Sequence, residues 1–377
     1  MGSASSGEGR NWRKLTAEEL RAIVERHQRF VRGIPGGTRA KLSFCDLSGL
    51  AVPGLDLSGA DMTGARLNWI SGAGMKLRGA TLYGADLRSA NLDRADLSRV
   101  DLRGSCLRGA SLEGAILIDA DLREGALATS DKSGELTAVA HEATPSDLAA
   151  ASLRHADLSR ARVAHGVVAR ADLSDTILRG AKLVGSDFRN ADLSGADLEG
   201  ADLSEANLSG AVLQGAILKD ALWKGANLEG ADLLGAVLDA HAQRAARATG
   251  AQNLPRGPES LELPFEEVVE QHESWVASKG GSGKRLSLQG IELAQIDLSG
   301  RNLSGATLRC CGLKKLRAIG ATMTLIDLSL SDLSDADLSQ CDLRAANLER
   351  AHLVGADLSR ASLEEVEMVG AETKSRS

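Results

Sequence analysis

Residues 85–122 read ADLRS-ANLDR-ADLSR-VDLRG-SCLRG-ASLEG-AILID-ADL, and this stretch decides the fold. Each five-residue unit has Leu at its third position, taken here as the centre. Centres recur every five residues from Leu42 to Leu127, from Leu153 to Leu238 and from Leu288 to Met368, giving 18, 18 and 17 units with lapses such as Gly72 and Ala318. Two residues ahead of the centre sits Ala, Cys, Ser or another small or apolar residue. A helix turns by about 100° per residue, so a Leu every five residues would wander around its whole circumference. Ala–Asp–Leu instead alternates in–out–in, which is strand behaviour. The Ser-Gly or Arg-Gly pair that follows is a turn former. A short side and a bend, repeated, make a closed coil. Periodicity alone does not set the number of sides.

Long tandems of A(D/N)LxG resemble the pentapeptide-repeat family, and the 53 units of this chain span roughly 70% of its 377 residues. The resemblance implies an all-β solenoid, a right-handed quadrilateral β-helix of about 20 residues per coil. It also implies a protein-interaction scaffold rather than an enzyme. A single coil buries too little apolar surface to offset the entropy of ordering it, so coils fold only when stacked.

Composition agrees with a core of uniform side chains, since aromatics make up 2% of residues with a single Tyr. A net charge of -7 and a pI near 5.6 argue against direct nucleic-acid binding, which needs a basic surface. No run of 18 apolar residues spans a membrane. The polar residues 1–10 lack the apolar core of a signal peptide, so the expected location is cytoplasmic.

Among the five cysteines, Cys45, Cys311 and Cys341 occupy small inward positions. Neither Cys106 nor the Cys310–Cys311 pair has metal spacing, and there is no C-x-x-C. The GGSGK run at 280–284 misses the phosphate-loop pattern at Ser278 and Arg285. His141-Glu142 lacks a second zincin histidine. Neither catalytic residue, metal nor cofactor is expected.

The registers divide the chain into a leader (1–14), a capping helix (15–33), a first solenoid (40–127), an inserted loop (128–150) and a second solenoid (151–239). A helical insert with a second capping helix (240–285), a third solenoid (286–371) and a tail (372–377) follow. Thr16-Ala-Glu-Glu19 is a capping box. Aligning His27 with His272 sets Phe30 on Trp275, and with one added residue GLDLSGADM (54–62) matches GRNLSGATL (300–308). A duplicated module of amphipathic helix, glycine turn and solenoid results, with the histidines in a repeated packing or capping role. The helices would cover coil ends that otherwise expose apolar side chains and strand edges.

Residues one before each centre point outward, and those twenty apart stack on one face. Charges nearly cancel over 40–127, with ten Lys/Arg against eleven Asp/Glu, but residues 187–239 and 324–371 each carry ten acids against three bases. The candidate partner-binding residues are Asp172, Asp192, Asp197, Asp202 and Asp232, with Asp332, Asp337, Asp342 and Asp357 as a second zone. Asp157, Ile177, Asp197, Ile217 and Val237 share one column, and its apolar members mark a patch to be covered. Family members that protect DNA gyrase from quinolones are acidic rods taken to imitate duplex DNA, so the resemblance offers DNA gyrase or topoisomerase IV as an alternative protein partner. This chain departs from them in length, in the mixed charge of its first solenoid and in its interrupted acidic columns. At the C-terminal end Leu363, Val366 and Met368 are the candidate interface of a homodimer formed by end-to-end stacking.

Overall fold

The computed structural model describes residues 12–125, 128–130, 136–138 and 145–364. The chain forms two compact units. Unit 1 runs to Asp232 and includes Leu238–Ala251; unit 2 comprises Leu233–Val237 and the residues from Gln252 onward.

Unit 1 is a repeat β-helix whose rungs are single parallel bridges rather than long strands. Bridges join residues twenty apart and recur every five residues, as in Lys41–Asp61, Asp46–Arg66, Ala51–Ser71 and Asp56–Lys76. Four ladders arise this way. Sides are short because each unit has only three residues of alternating direction before it bends. At many bends the second turn residue is a left-handed glycine such as Gly79, at φ +64°, and elsewhere Arg99 or Arg160 adopts the same conformation.

Hydrogen bonding accounts for all five N–H groups of a complete unit. In the unit centred on Met62, Met62 N–H donates to Thr81 O and Gly64 N–H to Tyr83 O, both one coil onward. Asp61 N–H donates back to Ala40 O. Ala65 N–H closes the turn onto Met62 O. The fifth, Thr63 N–H, goes to the Asp61 side chain at 3.1 Å. Asp is therefore a structural residue of the repeat, its Oδ1 capping the turn two residues ahead.

Centres from Leu57 to Leu122 and from Leu148 to Leu233 are buried. Gly72 breaks the Leu pattern because Met75, at a normally small position, fills its space: a Cβ on Gly72 would lie 2.4 Å from the Met75 sulfur. Inward hydroxyls and thiols donate to the centre carbonyl of the preceding coil, as Thr176 does to Leu153 O at 2.9 Å and Cys341 to Ala318 O at 2.7 Å.

The N-terminal end is closed by β1 (Arg13–Lys14), which pairs in parallel with β2 (Cys45–Asp46), and by α1 (Ala17–Val31). The Thr16–Glu19 capping box is present. Mid-unit, the ladder crosses an insertion: Cys106 pairs with Asp147 and Asp121 with Arg162, residues 41 apart. The repeat resumes at Asp147, earlier than the register from Leu153 indicates, and Leu148 is a buried centre. Within the expected loop, β3 (Ala128–Ser130) and β4 (Leu136–Ala138) form an antiparallel pair. The centre Leu127 lies outside the described residues. Near the unit's end α2 (Ala240–Ala248) buries Ala242 and Ala246, and Asp239 caps it through Ala242 N–H at 2.8 Å.

Unit 2 repeats the plan with α3 (Phe265–Ala277), β5 (Ser287–Gln289) and β6 (Thr307–Arg309), the strands pairing in parallel twenty residues apart. Its centres are buried from Leu293 to Leu343. In the final coil Leu348, Leu353 and Leu358 are half-buried, and Leu363 is 58% exposed.

Candidate functional site

The outward carboxylates are less free than their spacing suggests. Asp172, Asp192, Asp202, Asp332, Asp337 and Asp357 each accept the backbone N–H of the serine two residues on, at 2.8–3.2 Å. Asp197 and Asp342 do the same for Glu199 and Arg344. All of these except the exposed Asp357 are half-buried. Asp232 is held differently, accepting from Gln214 Nε2 at 2.7 Å.

The residue two after each Asp decides what happens to its second oxygen. In the D-L-R units the arginine returns onto the Asp in a two-pronged pair, as in Asp86–Arg88, Asp101–Arg103, Asp121–Arg123, Asp187–Arg189 and Asp342–Arg344, with Nη2–Oδ2 distances of 2.6–2.8 Å. These bonds hold the Asp187 and Asp342 carboxyls below the usual carboxylate range. In the D-L-S units the serine carries no charge and leaves that of the carboxylate uncompensated. This distinction was readable in the sequence but is invisible to a count of acids and bases.

The ladders bring some candidates together and separate others. Asp172 stacks on Asp192, and the column continues through Val212 to Asp232. Asp337 stacks on Asp357. Asp197 sits between Ile177 and Ile217 and pairs with Arg179 at 2.5 Å, while Asp202 sits between Lys182 and Leu222, with Lys182 Nζ at 3.8 Å. Asp332 lies between Gly312 and His352, and Asp342 between Thr322 and Ser362. A single acidic stripe through all the candidates does not exist. Two stacked D-L-S pairs do, and among the described residues no cation reaches ion-pairing distance of Asp172, Asp192, Asp337 or Asp357. A parallel ladder spaces such charges by roughly 4.8 Å, which is unfavourable unless a cation offsets it.

Ile116 and Ile177, at 40% and 38% exposure, alternate with Asp157 and Asp197 on one ladder. Of the proposed end-to-end interface, Leu363 is exposed, and Val366 and Met368 lie outside the described residues. His27 of α1 and His272 of α3 are fully buried. Cys311 is buried too, and burial pushes its thiol up to about 12. Among the described residues no group of His, Cys, Asp and Glu is arranged to hold a metal ion, and no helix is long and apolar enough to cross a membrane.

This architecture defines a class, the repeat β-helix built from five-residue units. The family profile described as pentapeptide repeats matches residues 38–71, 73–104, 95–130, 169–204, 206–239 and 331–370, and the chain belongs to that family. Comparison with curated proteins gave no match. Among solved structures, the chain is similar to HetL, a pentapeptide-repeat protein involved in heterocyst differentiation regulation from the cyanobacterium Nostoc sp. strain PCC 7120. Identity there is 20%, over 93% of this chain and 97% of that one, with a TM-score of 0.19. Similarity to QnrB1, a plasmid-mediated fluoroquinolone resistance protein, is at 19% identity over 56% of this chain and 97% of that one, with a TM-score of 0.27. A pentapeptide-repeat protein of the Arabidopsis thaliana thylakoid lumen shares 29% identity over 28% of this chain and 74% of that one, at a TM-score of 0.18.

Proposed function

We propose that this chain is a non-enzymatic, cytoplasmic protein-interaction scaffold whose four ladders are the sides of a right-handed quadrilateral coil. The observation that carries the reading is the Asp172–Asp192 stack, with the Asp337–Asp357 stack as its counterpart in unit 2. Each places two carboxylates one rung apart without an ion pair among the described residues. Arg317, on the rung before Asp337, is turned to Asp297. The natural complement of each stack is therefore a basic protein surface. Charge of this kind steers association and loses strength as salt rises. Substitution to Asn suits the test, because the Asn oxygen still accepts the turn N–H while the charge disappears. Proteins captured from a bacterial lysate by the wild type, and lost with Asp172→Asn/Asp192→Asn, would identify the partner. An unchanged capture profile in that variant and in Asp337→Asn/Asp357→Asn would refute the assignment of these stacks.

The second reading is a DNA mimic that binds DNA gyrase or topoisomerase IV and shields it from quinolone-type poisons. The regular vertical spacing of the same carboxylates favours it, since duplex DNA presents one charge about every 1.7 Å. The ion pairs at Asp197, Asp202 and Asp342 weigh against a continuous phosphate-like stripe. Gyrase supercoiling with and without a quinolone is the assay. On this reading the 128–150 segment supplies shape-specific contacts, and its deletion abolishes protection while leaving the fold intact. Absence of binding, inhibition and protection at micromolar protein ends the mimic reading.

The half-buried final coil and exposed Leu363 support a homodimer through Leu363, Val366 and Met368. Light scattering that shows a monomer at micromolar concentration, unchanged by Met368→Lys, would count against it.

A further inference from the structure

The two capping modules share their backbone bonds, and one difference between them lies at the start of the capping helix. Thr38 N–H donates to Arg26 O and Lys284 N–H to Gln271 O, both at 3.1 Å. Arg39 Nε donates to Gly59 O at 2.5 Å and Arg285 Nε to Gly305 O at 2.6 Å. Leu42 of the first module therefore corresponds to Leu288 of the second, Ile23 to Val268, and Thr16, Ala17 and Glu18 to Leu261, Glu262 and Leu263.

In the first module those residues are the capping box and the opening turn of α1, and Leu42 is fully buried. In the second, Pro264 stands at the helix start without a side-chain cap, and α3 begins only at Phe265. The missing turn leaves Leu288 half-buried and Leu263 38% exposed. Between them is a cavity of about 220 Å³ with apolar walls from Leu261, Leu263, Val268 and Leu288. Lys284 and Arg285 line its rim, against a single acid, Glu262. The bond to Gly305 O fixes the Arg285 guanidinium in place. Among the described residues the Lys284 ammonium makes no hydrogen bond. Its counterpart in the first module is the uncharged Thr38.

We infer that this groove of unit 2 binds a carboxylate carried on a short aliphatic chain. The apolar walls take the chain, and the net positive rim takes the carboxylate through charge-assisted hydrogen bonds. The volume lies below that of pockets for drug-sized ligands, which points to a short chain. A free medium-chain fatty acid and the C-terminal leucine of a peptide share this chemistry. The inference does not rest on the scaffold reading, because it uses none of the stacked aspartates.

The full chain, labelled at Leu and Val methyls, would be titrated with octanoate and separately with the tripeptide Gly-Gly-Leu bearing a free carboxylate. Binding of either probe, with methyl shifts at Leu263, Val268 and Leu288, is the expected result. Lys284→Glu should weaken it at least tenfold, and octanol, with the same tail and no charge, should bind at least tenfold more weakly than octanoate. Tighter binding of octanoate assigns a free acid; tighter binding of the tripeptide assigns a peptide end. Failure of both probes to bind at millimolar concentration overturns the inference. So does binding unchanged in both Lys284→Glu and the groove-filling Val268→Trp, the latter checked for an unaltered melting temperature.

Discussion

The backbone N–H of Ala40 donates to Nδ1 of His27 at 3.1 Å, which fixes the imidazole as the neutral tautomer with its proton on Nε2. Nε2 then donates to Ser58 O at 3.0 Å. One fully buried ring thus ties the capping helix to the start and the end of the first coil. His27→Leu keeps an apolar filler but strands the Ala40 amide, at a cost of about 1–3 kcal/mol. Native-state hydrogen exchange should show the first coil opening more readily by that amount. Unchanged protection would mean the contact is incidental.

Leu286 N–H makes the same bond to His272 Nδ1, at 3.1 Å, but His272 Nε2 has no hydrogen-bond partner among the described residues. Burial lowers the His272 pKa below its ordinary 6.5. As pH falls below that value the unfolded chain takes up a proton that the folded ring resists. His272 therefore contributes stability that is present above pH 6.5 and lost as pH drops through the folded pKa. Unfolding of unit 2 followed from pH 7.5 to about 5 should show this slope, and His272→Gln should remove it.

Gly72 and Met75 exchange the usual sizes of centre and small residue. Gly72→Leu alone overpacks the coil, costing about 1–3 kcal/mol. Met75→Ala alone opens a cavity, costing about 2–5 kcal/mol. The double variant restores the repeat consensus and should melt near the wild type. Additive losses in that double-mutant cycle would show that the two side chains do not share the space.

Glu292 folds over Gly312, whose absent Cβ would lie 2.1 Å from the carboxylate oxygen. Burial first, and then the charge of Asp332, raise its pKa above the ordinary 4.5. The ionised form is thus disfavoured in the fold at neutral pH, and the protonated form is not. Glu292→Gln should raise the melting temperature at pH 7, and the gain should fade as pH falls toward 4.5. A gain that is equal at both pH values would exclude the charge as its cause.

The five-residue period, the inward Leu and Ala, the capping box at Thr16 and the duplicated histidine module were legible because each depends on residues close together or on exact repetition. Solenoid packing is nearly one-dimensional, so local pattern carries most of the fold. The aspartates were legible as an outward column but not as turn caps, since that role depends on where Oδ1 meets an N–H two residues on.

By itself the sequence determined that the chain coils, and that Asp172 and Asp192, like Asp337 and Asp357, lie four repeats apart, one coil along a shared column. Tertiary structure alone decided that Asp197 and Asp202 pair with Arg179 and Lys182 of the preceding coil while Asp172 and Asp192 pair with no cation among the described residues. It also carried the ladder unbroken past the insertion to Asp147, and left Leu288 half-open where Leu42 is sealed. The physical reason is common to all three: each outcome turns on which atoms of distant residues come within bonding or packing distance, and spacing along the chain does not encode that.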